Sequence, residues 1–148
     1  MKATKIAEYI ANNVPTFRDV EIIGPGVAYH YSRHADEIIA HGFLGAALSP
    51  NLDCTQTAVE NLKATEKPGV VFGYESLEET AEEGDCCRIT FPWCNPKVFQ
   101  INFVAAVKAI HVQESFLEAP PTILISTEEI ESFECLGLCS GLWDESAF

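Results

Sequence analysis

Cations are scarce in this chain. Its 148 residues hold nine Lys and Arg against 22 Asp and Glu, a formal net charge of −13, and no Lys or Arg follows Lys108. A protein that grips a phosphate backbone needs clustered cations, so direct nucleic-acid binding is excluded as an expectation. Two readings of the acidity remain. One is solubility. The other is an acidic surface that docks onto a basic protein partner, such as one that handles nucleic acid. Long apolar runs are lacking too, which predicts no membrane span. The opening "MKATKIAEYI" has no extended apolar core of a secretory signal, so the expected location is cytoplasmic.

The common catalytic signatures are also missing. There is no G-x-x-x-x-G-K-[ST] loop, no G-x-G-x-x-G after a strand and no G-x-S-x-G elbow. "HADE" has the H-x-E half of a zinc deaminase site, but no P-C-x-x-C follows to complete the ligand set. The six cysteines, at 54, 86, 87, 94, 135 and 139, fit no zinc or disulfide spacing. "CLGLC" separates its pair by three residues rather than two. Free, mostly buried thiols are the expectation, with no metal.

Hydrophobic residues make up 47% and charged residues 21%, which suits a single globular domain over residues 1–148. "TKIAEYIANN" carries an apolar stripe at Ile6, Ala7 and Ile10 and predicts a short helix, with Thr4 as a plausible N-cap. "DVEIIGPG" is an extended piece closed by a turn. "GVAYHYS" reads as an aromatic-rich strand. "RHADEIIAHG" follows as a helix with Ser32 as N-cap, Ala35, Ile38 and Ile39 inward, and Gly42 just past its end. "TQTAVENLKA" predicts a helical turn or two. "GVVFGY" is a second buried strand, "ESLEETAEEGD" a helix stopped by Gly84, and "CCRITFP" a third strand. "KVFQINF", "VKAIHVQ", "PPTILIS" and the stretch after "TEE" are further strands. Early helices followed by mostly strands indicate an α+β fold.

A strand ending in His-x-Ser, then a helix, then Gly-Phe resembles the first motif of the ADP-ribosyltransferases. Here it is "YHYS", "RHADEIIAHG" and "FLGA". The stretch "GVVFGYESLEETAEEGDCCRITFP" is similar to their second motif, and "PPTILISTEEIESFECL" to their third. The likeness spans roughly residues 26–136 in the family's order.

The resemblance implies two small packed β-sheets flanked by short helices, and a cleft for NAD. It implies that His30 holds the nicotinamide-side ribose, with the hydroxyl of Ser32 and neighbouring Tyr29 and Tyr31 shaping the pocket. Phe72 or Tyr74 would supply the ring that stacks on nicotinamide. The family's glutamate stabilises the positive charge that develops as nicotinamide leaves. Thr122 falls at its position, so Glu118 or Glu128 would have to replace it. The implied function is NAD-dependent mono-ADP-ribosyl transfer to a basic protein target, as an effector or toxin would perform it. The alternative is an inactive acidic binding or inhibitor protein. RNA 2′-phosphotransfer on the same fold would need more cleft arginines than Arg33 and Arg88.

Overall fold

The computed structural model describes residues 2–13, 17–43, 69–90, 92–93, 95–112 and 121–142. Helix α1 (Ala3–Asn13) comes first, then strands β1 (Phe17–Ile23) and β2 (Gly26–Ser32), helix α2 (Ala35–His41) and strand β3 (Val70–Tyr74). Helix α3 (Leu77–Thr90) leads into β4 (Lys97–Phe103), β5 (Ala106–His111), β6 (Thr122–Ser126) and β7 (Ile130–Leu138). Short 3-10 turns cover Thr127–Glu129 and Cys139–Gly141. The α+β class is as expected. None of the described helices is long and apolar enough to cross a membrane.

All seven strands pair antiparallel in the order β1-β5-β6-β3-β2-β4-β7. Where two separate sheets were expected, hydrogen bonding runs through a single order. Its centre is thin: β2 and β3 share one register pair, Tyr29 with Tyr74, whereas β2 and β4 share seven. That thin seam divides four strands from three. The halves do not lie flat. In a flat sheet β6 and β7, four places apart, would be about 19 Å from each other. The chain from Ser126 to Ile130 takes four peptide steps, at most about 14 Å. The halves therefore curl toward one another, and one apolar cluster draws on both. Val71, Ile123 and Ile125 come from one half, and Ala28, Ile101 and Phe103 from the other.

The outer faces carry helices. The α1 stripe, Ala3, Ile6 and Ile10, is buried against Phe17, Val70, Val107 and Leu124. Helix α3 sets Ala81 and Leu77 against Val98, Tyr29 and Tyr31. Thr4 lies inside α1, not at its cap, because the helix starts at Ala3.

Two expectations around α3 need correction. Gly84 does not stop the helix, and residues 86–90 are helical, not a third strand. Gly84 is buried where a side chain has no room: a Cβ there would sit 2.4 Å from Cys139 Sγ and 3.0 Å from Tyr31 Cγ. The glycine serves close approach of helix to sheet, and the helix runs through it.

Candidate functional site

The junction between β2 and α2 holds the polar cluster that marked the sequence. Side chains alternate along a strand, so Ala28, His30 and Ser32 share one face of β2. Ala28 belongs to the cluster between the halves, which puts His30 on that inner face. The Nδ1 of His30 donates to the carbonyl oxygen of Phe72 at 2.5 Å. A carbonyl only accepts, so Nδ1 carries the proton. Burial lowers the imidazole's pKa below its ordinary 6.5, against the opposing pull of the Phe72 bond. The ring is therefore neutral at pH 7, and Nε2 is left as an acceptor.

The reason for this bond lies in the seam. Beyond Tyr29 and Tyr74 the backbones of β2 and β3 stop pairing. A carbonyl left bare there would be costly. The His30 side chain supplies the donor that the neighbouring backbone does not. At Gly73 the strands still approach closely, since a Cβ would lie 2.7 Å from the Tyr29 carbonyl oxygen.

Ser32 does not cap α2 directly. The N-cap is His34, whose side chain makes no capping bond. The Ser32 hydroxyl instead accepts the His34 amide at 3.0 Å, which tightens the turn before the helix. At the other end Gly42, with φ of 76°, returns its amide to the Ile38 carbonyl at 2.7 Å. Of the expected inward stripe, Ala35 is buried and Ile39 is exposed.

The helix end delivers Phe43, a site residue that the sequence reading missed. Its ring meets His30 edge-on at 5.6 Å, Phe99 at 5.7 Å and Phe133 at 5.1 Å. Phe43 thus stands against one side of the imidazole and is itself backed by Phe99 and Phe133. The signal was present, because Gly42-Phe43 directly follows the helix, but nothing in the sequence tied Phe43 to residues 56 and 90 positions later. Phe43 also lines a shallow depression of about 400 Å³ with Thr127, Ile130, Glu131, Ser132 and Phe133. Neither His30 nor Ser32 is among its described walls.

The expected site is not brought together whole. Tyr29 and Tyr31 pack toward α3, on the sheet face opposite His30. The Phe72 ring packs against the α1 cluster, and only its carbonyl meets His30. Tyr74 is committed elsewhere: its hydroxyl donates to the Glu83 carboxylate on α3. Burial, followed by the charge and hydrogen bond of Glu83, pushes the phenol's pKa well up. Strand alternation separates these rings from His30. Glu128 lies on the turn past Ser126, whereas Thr122 opens β6 at its other end, opposite Tyr74. Glu118 lies outside the described residues.

Cys86, Cys135 and Cys139 form no disulfide, as expected, but only Cys139 is buried; Cys135 is half-buried and Cys86 is exposed. Cys54, Cys94 and the side chain of Cys87 fall outside what is described. No group of three or more metal-ligating side chains occurs among the described residues.

Compared with known proteins, the chain matches no family model, no curated sequence and no solved structure at a significant level.

Proposed function

We propose that this protein is an ADP-ribosyltransferase-like domain that binds NAD with the nicotinamide-side ribose at His30. The observation that carries the reading is the His30 imidazole at the thin seam: its Nδ1 is occupied by the Phe72 carbonyl, which leaves Nε2 as the nitrogen that would accept from a ribose hydroxyl. The two curled half-sheets are in keeping with the family's two packed sheets. The edge-on Phe43 ring adds an apolar wall.

Transfer would break the bond between ribose C1′ and the nicotinamide nitrogen, which keeps the electron pair. A nucleophile of the target would bond to C1′ and lose its proton. The ribose is positively charged between these events. Thr122 offers a hydroxyl but no compensating charge. Glu128, beyond the far end of β6, is a poor substitute, which leaves Glu118 as the acid to test.

The second reading is an acidic binding module that keeps the fold and lacks the chemistry. It is favoured by the charge of −13 and by Thr122 where the family has glutamate. Calorimetric titration with NAD tests the binding step. Wild type should bind and His30→Ala should not. Absence of binding in a folded wild type overturns the NAD reading. Release of nicotinamide then separates enzyme from module. In an enzyme, Glu118→Gln should slow it a few hundredfold, corresponding to about 3–4 kcal/mol of lost stabilisation. In a module, wild type itself releases none.

A further inference from the structure

We propose that the free edge of β7 is the docking site for an extended basic segment of a partner protein, which adds as an eighth strand. The proposal rests on the acidic-surface reading and not on NAD. Strand β7 ends the hydrogen-bonded order, and its outer edge meets no other described strand. Alternate backbone N–H and C=O groups of an edge strand point outward and template another chain. Strand β7 is nine residues long; its register against β4 shifts at Glu131 and at Leu136, which leaves Ser132 to Cys135 as the regular run for an incoming segment to pair with.

The chemistry beside that edge selects the partner. Glu131 and Glu134 are both exposed on β7. Neither forms an ion pair among the described residues, and Lys2, beside the turn that precedes β7, is already paired with Glu129 at 3.8 Å. The depression at the start of β7 combines apolar walls, Phe43, Ile130 and Phe133, with the carboxylate of Glu131. That pairing suits a Lys or Arg side chain, whose stem packs on apolar surface while its head meets a charge. Thr127, also in the wall, has a buried hydroxyl oxygen with no hydrogen-bond partner among the described residues. A cationic head entering there supplies the missing donor. A second copy of this chain is disfavoured as the occupant, because it would set Glu131 and Glu134 against another acidic edge.

The test uses the whole protein without NAD, so its outcome is independent of the ribose site. The probe is a fluorescent peptide alternating Lys with Val, followed by anisotropy. Binding should weaken about tenfold or more when alternate peptide amides are N-methylated, which blocks strand pairing and keeps charge. Glu131→Lys with Glu134→Lys should weaken it similarly. Glu78→Lys with Glu82→Lys, on the exposed face of α3, should change it less than about twofold. The proposal is overturned if the peptide does not bind, if N-methylation has no effect, or if both charge reversals weaken binding equally. A concentration-dependent dimer abolished by Glu131→Lys with Glu134→Lys would likewise overturn it, by showing a second copy on the edge.

Discussion

Replacing Gly84 by alanine tests how α3 sits on the sheet. Alanine ordinarily stabilises a helix interior relative to glycine, by up to about 1 kcal/mol. Here the added methyl would lie 2.4 Å from Cys139 Sγ, with Tyr31 Cγ and Cβ at 3.0 and 3.1 Å. Ordinary carbon contacts are about 3.5–4.0 Å. Neither neighbour yields easily. Tyr31 is paired along β2 with Val98, and Cys139 is tied by its amide to the Pro96 carbonyl at 3.0 Å. Overpacking of this kind costs about 3 kcal/mol at the upper end of its usual range. The net loss is then about 2 kcal/mol, or a fall in Tm of roughly 4–8 °C for a domain of this size. Thermal unfolding followed by circular dichroism reads it. Adding Cys139→Ala removes the closest atom, so the double variant should be more stable than the sum of the single changes by about 1 kcal/mol. A Tm that rises in Gly84→Ala, or strictly additive changes, would refute the close approach of α3 to the sheet.

Three further outcomes follow from the same geometry. Because His30 has a depressed pKa in the fold, the unfolded chain takes up this proton first as pH falls. Stability should therefore decline from about pH 7 toward pH 5, and His30→Asn should flatten that slope in denaturant titrations. Tyr74→Phe removes the donor to the exposed Glu83, and should cost only about 0.5–1.5 kcal/mol by urea unfolding. Glu128→Gln should leave any nicotinamide release within about twofold of wild type, since Glu128 lies past the far end of β6 from Thr122; a loss as large as that expected for Glu118→Gln would contradict this placement.

Much of the fold is legible in the sequence because its signals are local. The 3.6-residue stripe of Ile6, Ala7 and Ile10 marks α1. Runs such as "VVFGY" and "TILIS" are too apolar and too β-branched to be anything but buried strands. The misreading of residues 86–90 has a physical cause. "CCRIT" has strand-like composition, and a preceding glycine usually ends a helix. What keeps the helix going is tertiary: Gly84 packs against Cys139, 55 residues later. Pairing order is non-local in the same way, and no residue of β2 indicates that β4 lies on one side and β3 on the other. One further feature of the site is legible in the sequence. Alternation along "GVAYHYS" already puts Tyr29 and Tyr31 on the opposite face from His30 and Ser32. Rings and imidazole could not share one pocket wall on that strand.

The two nitrogens of His30 do different work, and they can be separated. Nδ1 has a structural task, satisfying Phe72 where β2 and β3 part. That task alone accounts for a histidine at the junction and requires no ligand. Binding, on the proposed reading, belongs to Nε2. An asparagine places its side-chain N–H close to where Nδ1 stands and has no atom where Nε2 stands. His30→Asn should therefore keep the Phe72 bond and unfold near the wild-type Tm. His30→Ala should lose about 1–3 kcal/mol, because the carbonyl is left bare. Affinity for NAD should fall about tenfold or more in His30→Asn, since the ribose hydroxyl loses its acceptor. If His30→Asn instead restores both stability and NAD affinity, the imidazole is only a strut for the seam. The sugar must then find its acceptor elsewhere.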